Sequence, residues 1–90
     1  MIRSFRNRGL KRYWDEGDGR RLSVTNQDRV RMILLALNAA SRPEDLNLPG
    51  LRFHGLRGSP KRWSVAVSGN WRITWAWREG AVDVDLEDYH

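Results

Sequence analysis

The chain has no cysteine. That excludes a disulfide scaffold and a cysteine-ligated zinc site. It also lacks any apolar run near the roughly 18–20 residues of a membrane span. The opening Met1-Ile2-Arg3-Ser4-Phe5-Arg6 has no apolar h-region, so the N-terminus does not read as a secretory signal and the protein is expected to be cytoplasmic. No Gly-rich phosphate loop leads from a strand into a helix, which argues against a nucleotide-cofactor enzyme. With no Gly-x-Ser-x-Gly elbow and no thiol, nucleophilic acyl transfer has no candidate. What is present fits one small domain over residues 1–90, with 40% hydrophobic and 30% charged residues, a globular rather than disordered composition. A domain of this size has a small core that few positions can carry.

The charge is unevenly placed. Residues 1–80 hold all 16 Lys and Arg against 7 acidic side chains, a net +9, while Asp83, Asp85, Glu87 and Asp88 give the last ten residues −4. A dense positive field on a small surface favours polyanions such as nucleic acid, although mixed surface charge also serves solubility. The acidic end weakens a membrane-surface reading. It could dock on a basic patch, or place carboxylates where chemistry needs them.

Periodicity sets out an α+β domain. Ile2–Arg6 reads as a first strand. Asn7 can cap a short helix with Leu10, Tyr13 and Trp14 on one face, ended by Gly17 and Gly19. Thr25 to Asp28 resembles a capping box, and Val30, Ile33, Leu34 and Leu37 follow as one apolar stripe, with Arg29 and Arg31 off it. Pro43 should stop this helix near Ala40. From Leu51 the period changes to two. A short strand is expected around Arg52–Leu56. Trp63, Val65 and Val67 alternate with polar or small residues; so do Trp71, Ile73, Trp75 and Trp77, and then Val82, Val84 and Leu86. Ser68-Gly69-Asn70 and Glu79-Gly80 read as the tight turns between them. Two N-terminal helices packed on the Trp/Val/Ile face of a mainly antiparallel sheet give a two-layer domain. The opposite face should display Arg72, Thr74 and Arg78 beside Asp83 and Asp85, and it is where function is expected.

Several residues on that side could carry chemistry. If Phe53 faces the core, alternation turns His54 to the polar face. Asp88-Tyr89-His90 clusters an acid, a phenol and an imidazole at a strand end, although strict alternation puts only Tyr89 on the polar face. A metal site from His54, His90 and an Asp lacks the short His spacing and helix context of zinc motifs, so neither metal nor cofactor is expected. The tryptophans could stack bases, but alternation favours core for Trp71, Trp75 and Trp77, with Trp63 and Trp14 at its edges.

Met1-Ile2-Arg3-Ser4-Phe5, His54-Gly55-Leu56-Arg57-Gly58, the stretch from Trp63-Ser64-Val65 through Asn70-Trp71-Arg72-Ile73-Thr74, and the closing Glu87-Asp88-Tyr89-His90 together resemble the HigB-type toxins of the RelE/ParE superfamily, in order and over the whole chain. The resemblance implies a RelE-like, microbial ribonuclease-like fold. It also implies a ribosome-dependent endoribonuclease that cleaves messenger RNA in the A site without metal, the 2′-hydroxyl attacking the adjacent phosphate. By resemblance, His54, Asp88, Tyr89 and His90 match acid–base and positioning residues, and Arg72 matches the phosphate-binding arginine. Arg57 stands where the family often has Lys; Arg62 and Arg78 are further candidates for RNA contact. The implied partners are the ribosome, messenger RNA and a helix-turn-helix HigA-type antitoxin, with operator DNA bound only through the antitoxin complex and no membrane. Two other readings stay open: a ParE-like gyrase poison of the same fold, and a non-catalytic RNA-binding module.

Overall fold

A computed structural model of the protein describes residues 1–89. The first helix, α1 (Arg8–Glu16), is capped as expected: the Asn7 side chain accepts from the Leu10 N–H, and Gly17, at φ 73°, closes the far end by donating to the Tyr13 carbonyl. Leu10 is fully buried, and Tyr13 and Trp14 pack half-buried beside it. The second helix, α2 (Gln27–Ala39), buries Val30, Ile33, Leu34 and Leu37, the stripe read from the sequence.

Its cap is not Thr25 but Asn26, whose side chain accepts from the Arg29 N–H. The Thr25 carbonyl instead takes the Gln27 N–H, so the chain is still turning at that residue. Asp28 then lies in the first turn, where the helix dipole favours a carboxylate. Beyond Ala40, Pro43 does more than stop the helix. It opens a 3₁₀ turn over Pro43–Leu46 that buries Leu46, an element the sequence reading lacked. Proline suits a first helical position, so one residue both ends α2 and begins this turn.

Four antiparallel strands follow in sheet order: β1 (His54–Leu56), β2 (Arg62–Ser68), β3 (Trp71–Trp77) and β4 (Ala81–Asp88). Val65, Val67, Ile73, Trp75, Val84 and Leu86 meet the helix residues in one hydrophobic cluster, so both helices cover the same sheet face. This is the expected two-layer α+β arrangement. Trp75 is completely buried at the centre; Trp14, Trp63, Trp71 and Trp77 pack half-buried around it.

Two strand expectations need correction, and one cause explains both. The β3–β4 register shifts between Thr74 and Ala76, and Asp83 sits in the shift with φ 52°. The extra residue in β4 makes this a bulge. It puts Val82 opposite Ala76, on the face away from Val84 and Leu86. It also breaks the N-terminal strand. Residues 2–6 make two isolated parallel bridges, Ile2 to Ala81 and Phe5 to Val84, instead of a continuous ladder. Between the bridges the Asp83 N–H donates to the Ser4 hydroxyl at 2.8 Å rather than to a carbonyl.

The face away from the helices is polar but not simply solvated. His54, Ser64, Thr74 and Asp85 form one row across all four strands, and Ala66, Arg72 and Glu87 form the neighbouring row. Ser64 and Thr74 are buried. Arg62 reaches over Thr74, donating to its hydroxyl at 3.0 Å and to the Asp83 carbonyl at 2.9 Å. Arg78 lies past the end of β3, in the exposed loop to β4.

Candidate active site

A cleft of about 510 Å³ opens on the polar face, lined by Arg52, Phe53, His54, Leu56, Ser64, Arg72 and Tyr89. Its walls come from three places. Phe53 packs half-buried against the core, which leaves His54, the first residue of β1, exposed in the cleft. Arg72 rises from β3 between Ala66 and Glu87. Tyr89 follows β4 and is tied back to β3's turn by its N–H, which donates to the Asn70 carbonyl at 2.8 Å.

Arg72 lies beside Tyr89. The guanidinium carbon lies 5.9 Å from the centroid of the phenol ring, within reach of a cation–π attraction. Arg72 makes no hydrogen bond or ion pair among the described residues, and its Nε is buried without a partner. Arg52 adds a second cation, and no carboxylate is among the lining residues described. Such a cleft suits an anion, and a phosphodiester matches the guanidinium fork. Burial, reinforced by the charge of Glu87, raises the Tyr89 phenol above its ordinary value of 10.0. At neutral pH it is therefore a hydrogen-bond donor.

A family model for the RelE-like toxin of the type II toxin–antitoxin system HigB matches residues 3–90. The chain belongs to the HigB-like toxin family. Endoribonuclease HigB of Proteus vulgaris is 35% identical over 92 residues, an alignment covering 100% of both chains.

In this HigB-like chain, three residues picked out from the sequence, His54, Arg72 and Tyr89, line the cleft together. Asp88 does not line it. It is exposed at the end of β4, opposite Trp71 and so on the other parity, as alternation requires. His90 lies outside the described residues. Arg57 is exposed between β1 and β2, Arg78 stands beside Arg3, Ser4 and Val82 at a separate hollow, and Arg62 is engaged with Thr74 and Asp83. Burial and the nearby Arg6 charge lower Arg62 from its ordinary value, against the pull of Glu87, Asp85 and Asp83.

Arg52, Phe53, Leu56 and Ser64 also line the cleft and were not anticipated as site residues. Arg52 and Leu56 share parity with His54, a signal that was available. The strand expected from Arg52 in fact begins at His54, and Arg52 sits ahead of it at φ 52°. Among the described residues, no three His, Asp or Glu side chains are grouped to hold a metal. No described helix is long and apolar enough to cross a membrane.

Proposed function

We propose that this HigB-like toxin is an endoribonuclease that cuts messenger RNA in the ribosomal A site, using the cleft between His54, Arg72 and Tyr89. The convergence of these three side chains, drawn from β1, β3 and the residue after β4, is the observation that carries the reading. The relative named as an endoribonuclease supports it across the whole length.

The reaction divides into parts that these residues can perform. The 2′-oxygen of one nucleotide attacks the adjacent phosphorus, and the bond to the 5′-oxygen breaks. The products are a cyclic phosphate and a 5′-hydroxyl. A base must take the 2′-proton, and an acid must return one to the leaving oxygen. His54 is exposed in the cleft, where its imidazole can take or give a proton. Arg72 has a buried donor without a partner, suited to the negative charge that grows on the phosphorane. Tyr89, kept protonated, can donate to a phosphate oxygen. Asp88 and His90 complete the acid–base set of this reading. Arg57 and Arg78 are assigned to the RNA around it, while Arg62 is held by Thr74 and Asp83.

The positive body of the chain, +9 over residues 1–80, fits a surface that meets ribosomal and messenger RNA. A helix-turn-helix antitoxin is the partner of this reading. Primer extension on a message translated in vitro tests it. Ribosome-dependent cuts are expected from the wild type and not from His54→Ala or Arg72→Ala. Intact message with inhibited DNA gyrase would reject it in favour of the gyrase-poison alternative.

A further inference from the structure

Arg72 and Glu87 are cross-strand partners on the polar face. Opposite charges so placed ordinarily pair, their Cβ atoms being about 4.5–5.5 Å apart. Here they do not: the ion pairs among the described residues involve neither side chain. Glu87 leans along the diagonal instead, and its Oε2 accepts a hydrogen bond from the Thr74 hydroxyl.

The direction of that bond is set from behind. A threonine hydroxyl has one proton, and a guanidinium can only donate. Arg62 Nη2 donates into Thr74 Oγ1 at 3.0 Å, so the threonine proton is left for Glu87. Arg62 is itself anchored at the bulge, donating to the Asp83 carbonyl at 2.9 Å. Thr74 is completely buried, so its hydroxyl has no water to turn to. The chain Arg62 to Thr74 to Glu87 thus ends on a carboxylate held away from the arginine beside it. Arg72 is left with a buried, unpartnered Nε. An unsatisfied buried donor on a charged group is costly unless a ligand completes it.

We propose that Arg62 and Thr74 are positioning residues that withhold the Glu87 carboxylate from Arg72, keeping the guanidinium open for a phosphodiester of the substrate. This rests on the reading above that Arg72 holds the phosphate. It accounts for two features of the polar face that catalysis does not use: a half-buried arginine laid over a buried threonine, and a carboxylate beside the phosphate-binding group. The bulge at Asp83 is part of the device, because it presents the carbonyl that anchors Arg62.

A double-mutant cycle tests it. The probe is a short single-stranded RNA made uncleavable by 2′-deoxy substitution, and its affinity is read by fluorescence anisotropy at low salt. Thr74→Val keeps the shape and removes the hydroxyl, so Glu87 is released to Arg72, and affinity should fall by about tenfold, the worth of a charge-assisted contact. Thr74→Ser, which restores the hydroxyl, should recover it. Glu87→Gln placed in the Thr74→Val background should also recover it, with a gain several-fold larger than the same change makes in the wild type. Circular dichroism accompanies each variant, and Thr74→Ala repeats the cycle if valine does not fold.

Unchanged affinity in Thr74→Val, or an equal Glu87→Gln gain in both backgrounds, overturns the proposal. Arg72→Ala separates the two levels of inference. If it binds the probe as tightly as wild type, the phosphate-binding reading fails and this one with it. If it binds weakly while the cycle shows no coupling, only the withholding of Glu87 is wrong.

Discussion

The ring of Phe53 packs on Trp75 with centroids 6.3 Å apart and planes tilted by 38°. Trp75 is completely buried, so this contact ties the entry of β1 to the centre of the core. Adjacent side chains of an extended segment point to opposite sides, so anchoring Phe53 aims His54 at the cleft. Phe53→Ala should therefore do two things. It should destabilise the fold by about 1–3 kcal/mol, the cost of a partly buried aromatic. It should also lower RNA cleavage beyond that loss, in conditions where the variant is fully folded. Urea unfolding together with cleavage rates separates the two effects. A wild-type rate in the folded variant would mean that His54 is aimed by something other than Phe53.

Arg72 offers a test of geometry against charge. Lysine keeps the positive charge but presents a point rather than a fork, and it changes the cation–π contact with Tyr89. Arg72→Ala should reduce cleavage by roughly 10²–10³-fold, as expected for removing a group that stabilises transition-state charge. Arg72→Lys should fall between alanine and wild type, at about a tenfold loss. Single-turnover cleavage rates give the comparison. A lysine variant as poor as alanine would assign the role wholly to the guanidinium fork.

These two residues show what the sequence could and could not convey. Alternation alone put Trp75 in the core, set Arg72 on the opposite face and separated Tyr89 from Asp88. Short turns at Gly69 and Gly80 made the three long strands readable, and the stripe from Val30 to Leu37 made α2 readable. The bulge at Asp83 was not readable, because Val82, Val84 and Leu86 are spaced like an unbroken strand. A single extra residue in the ladder moves Val82 to the other face without leaving a mark on the pattern. The same limit hid the Arg62–Thr74–Glu87 chain. It runs diagonally between strands, and alternation reports faces rather than diagonals. Arg52 shares parity with His54 in the expected strand, but the paired strand begins at His54 and Arg52 lines the cleft from ahead of it.

Tyr89 carries a pH prediction. Tyr13→Phe leaves Tyr89 as the one tyrosine of the two in the chain, so alkaline absorbance then follows a single phenol. Its midpoint should lie above 10.0, because burial first and the Glu87 charge second disfavour the phenolate. Glu87→Gln should bring the midpoint down. The linked effect on stability has a definite sign. The unfolded phenol ionises first, near its ordinary value, so the contribution is whole below that pH and declines as pH rises towards the folded value. The stability curve of the Tyr13→Phe variant should therefore bend downward on the alkaline side, and further substitution of Tyr89 by Phe should remove that bend. A midpoint at or below 10.0 would place the phenol in open solvent, away from Glu87.

Arg29 lies off the apolar stripe of α2, yet it is half-buried and reaches the sheet. Its Nη2 donates to the Gly50 carbonyl at 2.8 Å and to the Ala66 carbonyl at 3.1 Å. The Ala66 N–H meanwhile donates to the Leu51 carbonyl at 2.7 Å. Helix, β2 and the segment leading to β1 are thus joined at Ala66, the residue opposite Arg72. Arg29→Met fills much the same space with apolar atoms and leaves both carbonyls without this donor. The expected cost is about 1–3 kcal/mol, which in a domain of this size lowers Tm by roughly 4–8 °C for each kcal/mol. Arg31→Met, two residues along on the exposed side of the same helix, should shift Tm far less. Thermal melts of the two variants side by side make the comparison. Equal shifts would mean that the Arg29 contacts add nothing beyond those of an ordinary surface arginine.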